Sequence, residues 1–247
     1  MDFGLIASVF LIATSKAPLD TALLRTEPPT SLRAAFTVEL TDGEAFREVR
    51  FDPRISDMNK RWDVVTAEGE SAELDMAVTQ WGSQVSPDGW LIPDDLRASM
   101  GGVVDAQDMG GLWTIEFEHQ PSENDGPLDI WASEHLIGQS WLEPVTQQFV
   151  RVEYSAPEPF DGPNGGRVDA YHHTYILSPD PEYGVTFVSA YMVDVKGSFL
   201  TESLSRSYRA RVTAIDFFFS SPVEEALFEA TRKKDQPSNL RLVADKN

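Results

Sequence analysis

The most informative absences are those of cysteine and of positive charge. The 247-residue chain has no cysteine, which excludes disulfide bonds, thiol catalysis and the acylated cysteine of a bacterial lipoprotein. Lys and Arg together number 20 against 40 Asp and Glu, so the formal net charge is −20. A field of that sign repels phosphate groups, and we therefore expect no nucleic-acid partner and no binding to an anionic membrane surface.

Recognisable catalytic and ligand-binding motifs are also missing. The sequence contains no HExxH, EF-hand, GxGxxG or Walker pattern, and residues 138–142 (GQSWL) fail the last position of the GxSxG nucleophile elbow. Among the 4 histidines, His172 and His173 are neighbours on a predicted strand and point to opposite faces, so they cannot chelate one metal ion. We therefore predict no catalytic residue, no metal site and no cofactor.

Two carboxylates are the strongest enzymatic candidates. Glu116 and Glu118 share one face of a predicted strand, in the pattern of a glycosidase pair. Acids that alternate with Trp113, Ile115 and Phe117 also mark the solvated face of such a strand. The second interpretation is simpler, and a carboxylate-dependent periplasmic hydrolase stays an alternative.

The N-terminus carries a short apolar run. Residues 3–14 (FGLIASVFLIAT) are too few to span a bilayer as a helix, and the following SKA tripeptide supplies the small residues of a signal-peptidase site. Asp2 departs from this pattern, because the residues before the apolar run of a signal peptide usually include Lys or Arg. A misassigned start and a buried first helix are the alternatives. We predict a signal peptide over residues 1–17, a flexible mature N-terminus over 18–30, and a periplasmic or secreted protein without a transmembrane anchor.

The remaining residues, 31–247, are predicted to form one β-rich domain. Residues 32–40 alternate between apolar and polar, and short polar connections between later alternating segments favour an antiparallel meander. The strands predicted after residue 111 cover 112–118, 128–136, 148–154, 168–177, 185–195 and 204–215, and the predicted helices cover 74–81, 93–100 and 222–234. These elements predict an α+β fold, mostly antiparallel, with one large twisted sheet and a few helices; a β-sandwich is the alternative.

The last predicted helix has the clearest boundary signals. Ser221 and Glu224 form a capping box, and Pro222 stands at the first helical position. We expect the helix to pack on the domain through its apolar stripe, which consists of Val223, Ala226, Leu227 and Ala230.

The order of these elements resembles that of a known family. A leader is followed by the strand at 32–38, a second strand, and the pair Arg61 and Trp62, and this opening resembles that of periplasmic lipoprotein-carrier proteins. The strands between residues 131 and 195 continue the resemblance. It implies a large curved antiparallel sheet that wraps around helices and holds acyl chains in its concavity.

The sequence therefore favours a non-enzymatic carrier or binder of a lipid, an acyl chain or another apolar ligand. The aromatic side chains predicted to line its pocket are Phe36, Phe51, Trp62 and Trp113. A structural or interaction module of the cell envelope, with an envelope protein as its partner, is the alternative. A carrier requires a large apolar cavity, a hydrolase requires convergent acids in a cleft, and an interaction module requires an exposed apolar patch.

Overall fold

A computed structural model describes most of the chain. The described residues are 17–93, 96–100, 103–108, 110–121, 127–162, 165–199 and 202–235. The predicted signal peptide therefore lies outside the described residues, except for Ala17. No helix of the described residues is long and apolar enough to cross a bilayer.

All strands of the described residues belong to one open antiparallel sheet. Its 11 strands run in the order β3-β2-β1-β11-β10-β9-β7-β6-β5-β4, with β8 paired to β9. The strands are β1 (Leu32–Thr41), β2 (Phe46–Phe51), β3 (Trp62–Glu68), β4 (Val103–Asp108), β5 (Trp113–Glu118), β6 (Ile137–Glu143), β7 (Gln148–Ser155), β8 (Phe160–Asp161), β9 (Gly166–Pro179), β10 (Thr186–Phe199) and β11 (Glu202–Phe219). This sheet confirms the α+β prediction and excludes the two-sheet sandwich.

The helices that pack on the sheet are short. They are α1 (Ala17–Leu24), α2 (Ala72–Gly82), α3 (Leu96–Ser99), α4 (Pro127–Ser133) and α5 (Pro222–Asp235), together with two 3₁₀ helices at Met58–Lys60 and Pro87–Leu91. We call Pro87–Leu91 the 3₁₀ segment. We call the face of the sheet that α2 and the 3₁₀ segment cover the inner face, and the opposite face the outer face.

Helix α2 forms where its apolar spacing predicts it. Ser71 caps the helix by accepting a hydrogen bond from the Leu74 amide at 3.2 Å. Its buried residues are Leu74, Ala77, Val78 and Trp81, and their spacings of three and four residues place them on one side of the helix. The Trp81 ring lies on Phe36 of β1, with centroids 5.5 Å apart and planes at 25°. This contact fixes α2 on the inner face.

Two segments differ from the expected structure. Residues 128–136 were expected to form a strand, but α4 occupies most of them and the next strand begins only at Ile137. Pro127 stands at the first position of α4, where its missing amide costs no hydrogen bond.

The N-terminal stretch expected to be flexible instead begins with α1, which buries Leu19, Ala22 and Leu23 in the main core. Spacings of three and four residues place these side chains on one side of a helix.

Helix α5 begins where the capping box predicts, but its expected packing stripe is wrong. The Glu224 amide lies 3.4 Å from the Ser221 hydroxyl oxygen that caps it. Val223 and Leu227 are 72% and 64% exposed. The helix instead packs through Phe228, whose ring lies 5.8 Å from Tyr183 and 5.3 Å from Phe219. Helix α5 therefore packs through the face that carries Phe228, because Tyr183 and Phe219 contact that side chain.

Candidate ligand cavity

A cavity of about 460 Å³ lies against the inner face of the sheet. Its floor consists of side chains from β7, β9 and β10. One wall is formed by the 3₁₀ segment, Ile92, Pro93 and α3. The other is formed by His119, Ala132 of α4 and Leu136. The lining residues are Gly89, Trp90, Ile92, Pro93, Leu96, Ser99, His119, Ala132, Leu136, Val152, Tyr154, Tyr171, His173, Tyr175, Leu177 and Val188.

Strand β9 supplies the long axis of this cavity. Tyr171, His173, Tyr175 and Leu177 all line it, because alternate residues of a strand share one face. At a rise of about 3.3 Å per residue, the strand from residue 171 to residue 177 extends roughly 20 Å. The cavity floor is therefore elongated along β9.

The two ends of this floor differ in chemistry. At one end, His173 pairs with Tyr154 of β7, and Tyr171 is its neighbour on the same strand face. At the other end, Leu177 pairs with Val188 of β10. We call these the polar end and the apolar end. An elongated cavity with one polar and one apolar end suits an amphiphilic molecule.

The polar end is built from aromatic rings that are stacked together. The Tyr171 hydroxyl lies 3.3 Å from His173 Nδ1, and their ring centroids are 4.6 Å apart. The ring of His119 lies 4.6 Å from that of Tyr154. These contacts hold the phenol and imidazole groups of the polar end in fixed positions.

His173 is uncharged at neutral pH. Burial lowers the pKa of His173 to about 4, and electrostatic interactions with Arg206 and His172 act in the same direction. Protein atoms surround most of the His173 side chain, and the part that lines the cavity stays accessible. His173 therefore offers the polar end a neutral hydrogen-bonding ring rather than an imidazolium.

The 3₁₀ segment is held over the cavity by one ion pair and by stacked indoles. Asp88 accepts hydrogen bonds from Arg33 Nε at 2.7 Å, from Arg33 Nη2 at 2.8 Å and from the Ala34 amide at 3.1 Å. The Trp90 ring stacks on Trp81 at 5.8 Å and 26°. Trp90 is half-exposed, so its indole lies where the cavity meets solvent.

Three of the four residues predicted to line a pocket lie together in a filled part of the core. Phe36 and Phe51 are buried, and Trp62 packs beside them. The ring centroids are 5.5 Å apart for Phe36 and Phe51, 6.3 Å for Phe36 and Trp62, and 5.7 Å for Trp62 and Trp81. Trp113 is partly buried against the main core. None of the four lines the cavity described above.

The cavity residues that sequence reasoning missed carry a weak signal. The alternation of Tyr171, His173, Tyr175 and Leu177 predicts the strand, and the sequence favours a His173 that faces solvent or a tyrosine rather than one that binds a metal ion. Whether a row of side chains faces a packed helix or an empty space depends on the position of α3 and the 3₁₀ segment. Those positions are set by contacts distant in sequence, such as the one between Arg33 and Asp88.

The carboxylates considered for catalysis lie outside the cavity. Glu116 and Glu118 are exposed and alternate with the buried Ile115 and Phe117, as the solvated face of a strand requires. Within the described part of the chain, no group of three or more His, Asp or Glu side chains could hold a metal ion.

A second hollow lies on the outer face and has a different character. Its charged and polar lining includes Arg151, His172, Thr174, Asp194 and Arg209. Glu153 pairs with Arg151 and also accepts a hydrogen bond from Thr174 at 3.1 Å. His172 thus contacts this polar network while His173 faces the inner cavity, as expected for neighbours on one strand.

Comparisons with known proteins yield a match in structure only. No protein-family model matches the chain, and no curated protein matches it. A crystal structure from Vibrio parahaemolyticus, provisionally assigned as an outer membrane lipoprotein-sorting protein domain, matches 87% of this chain and 97% of its own, with 11% identity and a TM-score of 0.34. Its assignment falls in the class that the sequence resembles. An overlap this loose carries no weight for function, which is argued below from the cavity.

Proposed function

We propose that the chain is a non-enzymatic carrier or binder of a small apolar or amphiphilic molecule, such as a lipid, which occupies the inner-face cavity. The observation that supports this proposal is the cavity itself, at about 460 Å³. Sites for small molecules typically measure about 300–1,000 Å³ and are lined mostly by apolar and aromatic side chains with a few polar groups. The lining described above has that composition.

The apolar end of the cavity provides the binding energy. Ile92, Leu96, Leu177 and Val188 lie along its walls and floor. Each methylene group that a ligand transfers from water into such surroundings contributes about 0.8 kcal/mol. Affinity should therefore rise about fourfold for each added methylene until the cavity is full. A hydrophobic fluorophore should bind with a Kd on the order of micromolar, equivalent to about −8 kcal/mol.

A cavity-filling substitution tests the location of binding. Ala132 lines the cavity, and in Ala132→Phe a benzyl group would occupy part of the ligand volume. Ala226 lies on the exposed side of α5, away from the cavity lining, and Ala226→Phe is the matched control. We expect Ala132→Phe to weaken fluorophore binding at least tenfold, and Ala226→Phe to leave the affinity unchanged.

The controls separate loss of binding from loss of folding. Both variants are compared with the unsubstituted protein by circular dichroism and thermal melting before titration. Equal fluorophore affinity in all three folded proteins would place binding outside the cavity. Absence of fluorophore binding to the unsubstituted protein, with no change of tryptophan fluorescence in a lipid titration, would refute the proposed function.

The proposed carrier acts outside the cytoplasm, in the periplasm or beyond. The proposal is supported by the apolar run at 3–14 and the SKA tripeptide that follows it. The core residues of α1 begin at Leu19, so cleavage after Ala17 would remove none of them. N-terminal sequencing of the exported protein should begin at or near Pro18. An intact Met1 on the soluble protein would contradict export by cleavage.

A further inference from the structure

We propose that the cavity selects a single-chain amphiphile with an uncharged, hydrogen-bonding head group, such as a hydroxyl or an ester, and binds that head group at the polar end. This inference rests on the proposed function, because it specifies the ligand that the same cavity holds. It combines the polarity of the cavity floor with the charge of its lining.

The register of the sheet sets the orientation of the ligand. Phenol and imidazole groups come together at the polar end, where His173 pairs with Tyr154. The opposite end is aliphatic, where Leu177 pairs with Val188. A ligand with one polar group and one hydrocarbon chain satisfies both ends only when its head group lies near His173 and its chain extends toward Leu177.

The described part of the lining holds two histidines but no other acidic or basic side chain, since none of its residues is Lys, Arg, Asp or Glu. A carboxylate bound there would lose its water of hydration without gaining an ion pair, and an isolated buried charge is strongly unfavourable. A primary ammonium group is strongly hydrated and would likewise find no carboxylate among the described lining residues. Both fatty acids and primary alkylammonium ligands are thereby disfavoured.

The His173 imidazole does not supply the missing charge. The pKa of His173 is lowered to about 4, mainly because of burial and further because of electrostatic interactions with Arg206 and His172. A neutral imidazole carries one donor and one acceptor, and a phenol carries both functions on its oxygen. Tyr171 lies within hydrogen-bond distance of the His173 ring. These groups match a hydroxyl, which both donates and accepts a hydrogen bond, and an ester carbonyl oxygen, which accepts one, and neither carries a charge.

Three ligands of equal chain length test this inference by displacement of the bound fluorophore at neutral pH. They are a monoacylglycerol, the corresponding fatty acid and the corresponding primary alkylammonium, all kept below their micelle concentrations. We expect the monoacylglycerol to displace the fluorophore at a concentration roughly tenfold or more below that of either charged ligand, which corresponds to at least 1.4 kcal/mol. A fatty acid or an ammonium ligand that binds as tightly as the monoacylglycerol would overturn the inference.

Substitution of the polar end provides a second test. His173→Lys adds a cation at the polar end and should move the fatty acid ahead of the monoacylglycerol, whereas His173→Gln keeps a neutral hydrogen-bonding side chain and should preserve the original order. Tyr171→Lys replaces His173→Lys if the latter does not fold. An unchanged ligand order in a folded lysine variant would place the head group elsewhere and overturn the inference.

Failure of this inference is distinguishable from failure of the proposed function. If the fluorophore binds and Ala132→Phe weakens it, the cavity binds apolar molecules whatever the order of the three ligands. If the fluorophore binds but none of the three ligands displaces it, the head-group inference is refuted and apolar binding stands. If the fluorophore does not bind, the proposed function itself fails.

Discussion

Removal of the Asp88 carboxylate should destabilise the protein and disturb the cavity together. Asp88 lies in the 3₁₀ segment and accepts three hydrogen bonds, two from Arg33 and one from the Ala34 amide. In Asp88→Ala all three donors on β1 lose their acceptor. Because Gly89 and Trp90 of the same segment line the cavity, the substitution tests whether this ion pair holds the cavity wall in place.

The magnitude follows from the burial of the two partners. Removing one member of a fully buried ion pair typically costs about 3–5 kcal/mol, because the remaining charge is left unpaired. Asp88 is buried, but the Arg33 side chain is 31% exposed, so water can solvate part of the guanidinium after the substitution. We therefore expect a loss of about 2–3 kcal/mol in the free energy of unfolding.

An exposed ion pair between neighbouring strands supplies the matched control. Glu39 of β1 pairs with Arg211 of β11 at 2.7 Å, and the Arg211 side chain is 69% exposed. Glu39→Ala should cost less than about 1 kcal/mol, as exposed pairs do. Urea denaturation followed by tryptophan fluorescence measures both losses, and fluorophore titration measures the cavity.

The result that would refute this reasoning is equality of the two variants. If Asp88→Ala and Glu39→Ala lose the same stability, burial of Asp88 does not make its pair stronger than a surface pair. If Asp88→Ala loses stability but binds the fluorophore as tightly as the unsubstituted protein, Asp88 stabilises the fold without holding the cavity wall.

Three further predictions concern separate residues. The pKa of His173 falls from 6.5 to about 4 on folding, so the unfolded chain binds more protons between these values. The free energy of unfolding should therefore decrease by at most about 3.4 kcal/mol as the pH falls through that range. Urea denaturation at a series of pH values should show a smaller decrease for His173→Gln, and an identical decrease would contradict the shift. Ser221→Ala should cost about 1 kcal/mol through loss of the cap on the Glu224 amide, and an unchanged thermal melt would show that Ser221 does not stabilise α5. Replacing Glu116 and Glu118 together by Gln should leave folding and fluorophore binding intact, since both side chains are exposed; loss of a hydrolytic activity in the folded double variant would support an enzyme instead.

Local patterns in the sequence predicted α2 and β9 correctly, because the period of their apolar residues matches a helix and a strand. The stripe from Leu74 to Trp81 is the buried face of α2, and the alternation within residues 168–177 forms the middle of β9. In both cases, the period of the apolar residues determines which side chains share a face. The long alternating segments also made an antiparallel sheet the expected fold.

Local patterns did not predict which apolar face packs, or against which part of the fold, because that depends on contacts distant in sequence. The spacing of Val223 and Leu227 locates an apolar side of α5, but Phe228 makes the contacts with Tyr183 and Phe219. The same limit explains the cavity. Alternation placed aromatic residues on one face of the sheet, and only the helix positions separate the filled cluster around Phe36 from the open floor around Tyr175.

Photoaffinity labelling tests the central claim, that the inner-face cavity binds an amphiphile, most directly. A monoacylglycerol with a photoreactive group at the end of its chain is irradiated with the unsubstituted protein, and the cross-linked residues are identified by mass spectrometry. We predict cross-links at the apolar end, near Leu96, Leu177 and Val188, which excess unlabelled monoacylglycerol abolishes. Cross-links distributed over the outer face, or cross-links that the competitor does not reduce, would contradict the claim.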